Sequence, residues 1–367
     1  MKPSRQSTSV RSRSEHGIAL VIVMIAIFVL AMLAGRFAFR MKVETKLASN
    51  ANNESELEWL GRSGVDYCRW ILAEQKKCPE PYDALNQVWA GGPGATCASN
   101  GPLADVVHEF PLRHGSFTWK IVDLERKINI NNTLAPGGDA LIQQALILMG
   151  ADPSEYPPVV GSILDWIDQD NDPHVQGNET DYYQSLDTPY DAKNGPIDDL
   201  SELLLIRGIT QDMYWGSAST NHVAAAFQQR TSRFGSPLAP PSYAFGLVDV
   251  FTPLSNGKVN INTAPVNVLT ILLHGNETWA QNIVKLRAGP DQVDGTEDDI
   301  PFNNVGEIIN AGIPGAVVQQ IASYCDVHSR TFEIQIEAQV AGYKRQFISV
   351  VGMNNPNDIQ ILSFYWK

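Results

Sequence analysis

The run from Ile18 to Gly35 carries no charged residue in 18 positions, and nothing else in the chain limits its fold so strongly. As a helix it spans roughly 27 Å, close to the hydrocarbon thickness of a bilayer. Arg36, Phe37, Phe39 and Arg40 follow it, residues suited to a headgroup boundary. In front of it Lys2, Arg5, Arg11 and Arg13 stand against Glu15 alone. The positive-inside rule therefore keeps this leader cytoplasmic and exports the body. A secretory signal has a shorter apolar region, about 7 to 15 residues, with its small-residue cleavage site behind it. Here Gly17 precedes the run, so a cut at that point leaves the apolar helix on the mature chain.

From Val43 to Lys76 there is no proline, and Leu47, Leu57, Leu60, Val65, Trp70 and Ile71 are spaced among polar residues. The pattern predicts one long helix, apolar at its base and amphipathic above, weakened by Gly61 and Gly64 and ended by Cys78-Pro79. Ser116 to Val122 alternates Phe117, Trp119 and Ile121 with polar residues, as a half-buried strand does. The C-terminus alternates in the same way from Phe332 to Val340, turns at Ala341-Gly342, runs on through Tyr343 to Val351, and closes with Ile359 to Trp366. The expected fold is α+β: a long N-terminal helix on an antiparallel sheet, with a large, mostly helical domain inserted between the first strand and the last three.

The expected divisions are a leader over 1–17, a membrane and stem helix over 18–76, and a loop and first strand over 77–126. The insert covers 127–327, and the closing strands 328–367. Within the insert, Lys127-Ile128-Asn129-Ile130-Asn131 is echoed by Lys258-Val259-Asn260-Ile261-Asn262, each with an Ala-Pro pair behind it. Asp199-Leu200-Ser201-Glu202 is echoed by Asn304-Val305-Gly306-Glu307, and both read as capped helix starts. Two related halves, 127–215 and 258–327, follow, joined by a Ser-, Pro- and Ala-rich connector.

Two acidic loops are candidate metal sites. Asp168, Asp170, Asp172 and Glu179 stand at positions 1, 3, 5 and 12 of a calcium loop, a spacing that lets oxygens converge on a hard cation. Asp181 is a candidate extra ligand. Pro173 occupies the position where an EF-hand needs glycine, so a Ca²⁺ loop of another shape is expected. Asp291, Asp294, Glu297, Asp298 and Asp299 form a second candidate calcium loop whose spacing matches no standard motif. Mg²⁺ suits neither, since it resists dehydration. Four cysteines, Cys68, Cys78, Cys97 and Cys325, fit an oxidising compartment; Cys78 and Cys97 flank a short loop and are the preferred pair, and no spacing suggests zinc.

Other function classes find little support. A net charge of −13, which becomes −16 without the leader, repels nucleic acid. Gly312-Ile313-Pro314-Gly315 has the look of a helix-hairpin-helix that binds a DNA backbone, yet no basic residue lies between Arg287 and Arg330. Neither HExxH nor GxSxG occurs, no glycine-rich loop carries the Lys-Ser/Thr of a phosphate site, and no enzyme or small-molecule substrate is expected.

Ser14-Glu15-His16-Gly17 followed by Ile18-Ala19-Leu20-Val21-Ile22 resembles the class III leader of type IV pilins and type II secretion pseudopilins. The resemblance implies cleavage between Gly17 and Ile18 by a prepilin peptidase and methylation of the new amine of Ile18. The glutamate usual at mature position five is replaced by Ile22, a departure shared by the K subunits of type II secretion. Leu164-Asp165-Trp166-Ile167-Asp168, Pro189-Tyr190-Asp191-Ala192-Lys193-Asn194 and Val259-Asn260-Ile261-Asn262-Thr263-Ala264-Pro265 are similar to that same family of minor pseudopilins, general secretion pathway protein K. Membership would imply a calcium-binding, non-enzymatic subunit at the pseudopilus tip. It would be anchored in the inner membrane with its bulk in the periplasm, and would work with the I and J minor pseudopilins and other pseudopilins in protein secretion. A minor pilin of a type IV pilus is the nearest alternative, ahead of a membrane-anchored DNA-uptake protein.

Overall fold

A computed structural model describes residues 15–94, 101–154, 156–218 and 243–367. Residues 1–14 of the leader, Cys97 and most of the connector lie outside the described residues. One helix, α1, runs from Glu15 to Gln75. Its N-terminal part is long and apolar enough to cross a membrane and is packed against nothing among the described residues. Its C-terminal part buries Leu57, Leu60, Val65, Cys68, Ile71 and Leu72 against a sheet.

That sheet has five strands in the order β1-β2-β7-β8-β9, all antiparallel: β1 Glu109–Leu112, β2 Gly115–Asp123, β7 Thr331–Val340, β8 Tyr343–Asn355 and β9 Asp358–Trp366. Phe117, Trp119 and Ile121 of β2 and Phe332, Ile334 and Ile336 of β7 meet the helix, as their period of two predicts. The difference from expectation is β1. Two strands rather than one precede the insert, because a stretch with Pro111 at its centre pairs to the edge of β2. Gly61 and Gly64 also have a tertiary reason. A Cβ at Gly61 would stand 2.5 Å from the ring of Phe347, and one at Gly64 2.9 Å from Ile336. The two glycines let helix and sheet approach at their centre.

The insert leaves the sheet after β2 and returns before β7, with its own core of Ile142, Leu146, Ile163, Trp166, Leu203, Ile261, Leu269 and Ile283. Each of its halves opens on a short parallel pairing: β3 (Ile128–Asn129) with β4 (Phe251–Thr252), and β5 (Val259–Asn260) with β6 (Cys325–Asp326). Behind each pairing the same hydrogen bonds recur. Asn129 Oδ1 accepts from the Asn131 amide, and Asn260 Oδ1 from that of Asn262. Asn131 donates to Ile197 O and accepts from its amide, while Asn262 does the same with Phe302. The capping signals part company. Asp199 accepts from the Ser201 amide and Glu202 from that of Asp199, over a 3-10 turn Leu200–Leu205. Asn304 makes no side-chain cap; its amide group instead donates to Glu307.

Insert and sheet are joined through buried polar groups. Asp123 Oδ2 accepts from Thr263 Oγ1 at 2.5 Å and Ser329 Oγ at 2.6 Å, and Asp123 Oδ1 from the Glu125 amide. Glu125 accepts from the amides of Asn256, Arg330 and Thr331. Asp83 accepts from the Ser329 amide and pairs with Lys76 at the end of α1. Burial, with Glu125 and then Asp83 adding their charge, holds the Asp123 carboxyl well above the usual range although its hydroxyl partners pull it down.

Candidate metal centre

Helix α3 (Tyr156–Ile167) is buried on every side from Gly161 to Ile167, and Asp165 lies in that part fully covered. Asp165 Oδ1 accepts from the His174 amide at 2.8 Å and faces His174 Nδ1 at 2.7 Å. This contact folds the chain back onto α3 just after Pro173. The returning segment passes so close that a Cβ at Gly177 would stand 2.0 Å from Asp165 Oδ2. Beyond it, Glu179 comes back to the start of the loop. Ligand oxygens of Asp168, Asp170 and Glu179 lie within 4.8 Å of one another, and so do those of Asp165 and Asp168 with a ring nitrogen of His174.

Several of these atoms are buried and make no hydrogen bond: Asp165 Oδ2, Asp168 Oδ1, both carboxylate oxygens of Glu179, and Asn194 Oδ1. Asn194 is held in place by donating to Asp170 O at 2.7 Å and Asn171 Oδ1 at 3.0 Å. Buried oxygens left without partners cost free energy, and a cation bound between Asp168 and Glu179 would lower that cost. Burial, then the charges of Asp165, Asp168 and Asp170, pushes the Glu179 carboxyl up to about 7. The Asp168 carboxyl is raised by burial and by Asp170. An oxygen-dominated donor set fits a hard ion such as Ca²⁺, with Asp168, Asp170, Glu179 and Asn194 as the residues to hold it.

Asp172 and Asp181 stand apart from this cluster. Asp172 is exposed and uses its amide to donate to Asp170 Oδ1, and Asp181 is exposed on the short helix Thr180–Gln184. Asp165, His174 and Asn194 were missed as site residues. Asp165 and Asp168, three apart at a helix end, share a face, and that was the available signal.

The second loop is organised differently from expectation. Arg287, 4% exposed at the end of the helix Glu277–Arg287, donates to both oxygens of Asp294 at 2.9 and 2.7 Å and also to Ile261 O and Ala264 O. Asp298 accepts from the Asp291 amide and Thr296 Oγ1, and Asp299 from the Gly295 amide. Among the described residues, Asp291, Asp294, Glu297, Asp298 and Asp299 contribute to no such cluster. A guanidinium, the loop's own amides and Thr296 satisfy the carboxylates of Asp291, Asp294, Asp298 and Asp299, which were expected to meet an ion. Cys78 is disulfide-bonded, while Cys68 and Cys325 are buried free thiols.

A stem helix on an antiparallel sheet, interrupted by a helical domain with an acidic loop, defines a pilin-like fold with an insert. The family resemblance read from the sequence is borne out at this point: the chain is similar to type II secretion system protein K, whose first-domain model matches residues 126–218. The type II secretion system protein K of Aeromonas hydrophila is 25% identical over 217 residues, which are 55% of this chain and 61% of that protein. The homologue from Pseudomonas aeruginosa is 21% identical over 281 residues, covering 75% of this chain and 73% of the other. The aligned region thus spans about three-fifths of the Aeromonas protein. A chain in the crystal structure of the GspK-GspI-GspJ complex of enterotoxigenic Escherichia coli has the same fold, with a TM-score of 0.61 at 18% identity over 87% of this chain and 99% of that one.

Proposed function

We propose that this chain is a non-catalytic K-type minor pseudopilin that caps the pseudopilus of a type II secretion system. In this reading it takes part in starting fibre assembly and in exporting folded proteins across the outer membrane. The observation that carries it is the placement of the insert. About 200 residues leave the sheet between β2 and β7 and return to it, a bulk that stacked subunits would clash with and that an end position leaves free. Ile22 supports the same place. In the apolar interior of a fibre a neighbour's N-terminal amine needs a carboxylate partner, and Ile22 offers none. At the end of the fibre no further subunit presents such an amine.

The leader is cut between Gly17 and Ile18 by a prepilin peptidase, the Ile18 amine is methylated, and α1 anchors the chain in the inner membrane with its bulk in the periplasm. The I and J minor pseudopilins are the partners. Ca²⁺ binds at Asp168, Asp170, Glu179 and Asn194, so that the halves of the first loop are tied together and the insert is stiffened. Quantitative crosslinking in assembled fibres tests the tip position. One copy per fibre is expected, and repetition along the shaft in numbers near those of the major subunit refutes it. Intact mass of the membrane-extracted chain tests processing; persistence of Met1 to Gly17 in cells with active peptidase refutes it.

A further inference from the structure

The five-stranded sheet has two open sides, and the sequence treats them differently. β1 is four residues long, begins with Glu109 and contains Pro111, which has no amide to offer. Such an edge is closed to further pairing. β9 runs nine residues and pairs with β8 alone. It begins with Asp358, holds no charge and no proline from Ile359 to Trp366, and carries a bulge at Leu362, between the pairs Val350–Ser363 and Val351–Ile361. Ile361, Leu362, Tyr365 and Trp366 are 46 to 63% exposed. The Lys367 amide donates to Gln346 O, so the alternation of an antiparallel ladder turns the backbone groups of Trp366 and Phe364 outward. Beyond the bulge, from Ser363 to Trp366, the edge is regular and uncharged, the feature that unpartnered sheets are built to avoid.

The chemistry beside this edge selects its occupant. Arg345 lies over the Trp366 ring at 4.7 Å and is paired with Glu54; Arg62 lies over Phe364 at 5.3 Å and is paired with Glu58. Both cations are already compensated, so a charged segment would gain no partner there. An extended uncharged segment would gain the free ladder groups and the aromatic faces.

We propose that β9 is a strand-addition site, which takes an uncharged extended segment of a partner pseudopilin as a sixth strand of the sheet. The proposal rests on the reading of the chain as a minor pseudopilin. The test uses the full-length chain co-expressed with the I and J pseudopilins of its own bacterium. A photo-crosslinking residue is placed at Leu362 or, on the other edge, at Leu112, and capture of the two partners is measured for Trp366→Pro, Leu362→Lys and Trp366→Tyr.

Crosslinks from Leu362 but not Leu112 are expected. Trp366→Pro and Leu362→Lys should each lower capture about tenfold or more, with melting temperature kept, while Trp366→Tyr retains it. Capture by both disruptive variants at the level of the native chain would overturn the edge assignment and leave the functional reading standing. Crosslinks from Leu362 to a second copy of this chain would overturn the partner. Failure of the native chain to capture either pseudopilin would overturn the functional reading and this inference with it.

Discussion

Glu179 is the residue on which the cation site is most sharply tested. It is 8% exposed and neither carboxylate oxygen has a hydrogen-bond partner. At the 4.8 Å limit within which its oxygens lie from those of Asp168 and Asp170, each ionised pair repels by about 3.5 kcal/mol at an effective dielectric of about 20. Water at the exposed Asp170 lowers that figure. A divalent ion reverses the sign of the whole arrangement. At a hundredfold excess over Kd, binding to the folded state stabilises it by about 2.7 kcal/mol. In a domain of about 200 residues this raises Tm by about 5 to 11 °C. Glu179→Gln keeps the side-chain volume and removes the charge. Thermal unfolding of the detergent-solubilised full chain, followed by circular dichroism in chelator and in excess calcium, reads both effects. With chelator, the variant should melt at or above the native chain, because repulsion is relieved. With calcium, its gain should fall below about a third of the native gain. A variant that keeps the full gain refutes the site. One that loses several degrees in chelator refutes the electrostatic argument, since the carboxylate would then be serving as a structural acceptor.

Three further outcomes are expected. Asp123 has a folded-state pKa raised by burial, so its contribution to stability is full below about pH 3.9 and is lost as pH rises towards the folded value; Asp123→Asn should flatten the fall of Tm as pH rises above that point, measured in saturating calcium. Gly64→Ala should destabilise by about 1 to 3 kcal/mol in denaturant unfolding, despite the better helix propensity of alanine, because its Cβ meets Ile336 at 2.9 Å. Asn131→Ala and Asn262→Ala each remove a two-way bond to a backbone, with Ile197 and Phe302 respectively; losses of about 2 to 3 kcal/mol from both, seen in the same assay, would show that the halves rely on equivalent joints.

Much of this architecture is local and therefore visible in the sequence. The stem of α1 and strands β2 and β7 each bury one face, and burying one face imposes a period that neighbouring residues alone reveal. The repeated Asn-Ile-Asn turns are visible for a similar reason, since each side chain bonds an amide two residues on. Asp168, Asp170 and Glu179 were marked by their spacing. What the sequence left open depends on contacts between distant segments. Glu109–Leu112 is a strand because β2 offers an edge to it, and Gly61 and Gly64 are weak points of a helix until Phe347 and Ile336 are laid against them. Asp294 and Asp172 have the same side-chain chemistry and both sit in acidic loops. One meets Arg287 and the other faces solvent, while Asn194, from another segment, brings an oxygen to the cation loop. Composition and spacing determined which groups were available to bind an ion. Which of them converge was decided by the tertiary fold, because a carboxylate's partner is whichever charge or amide the packing brings within about 3 Å of it.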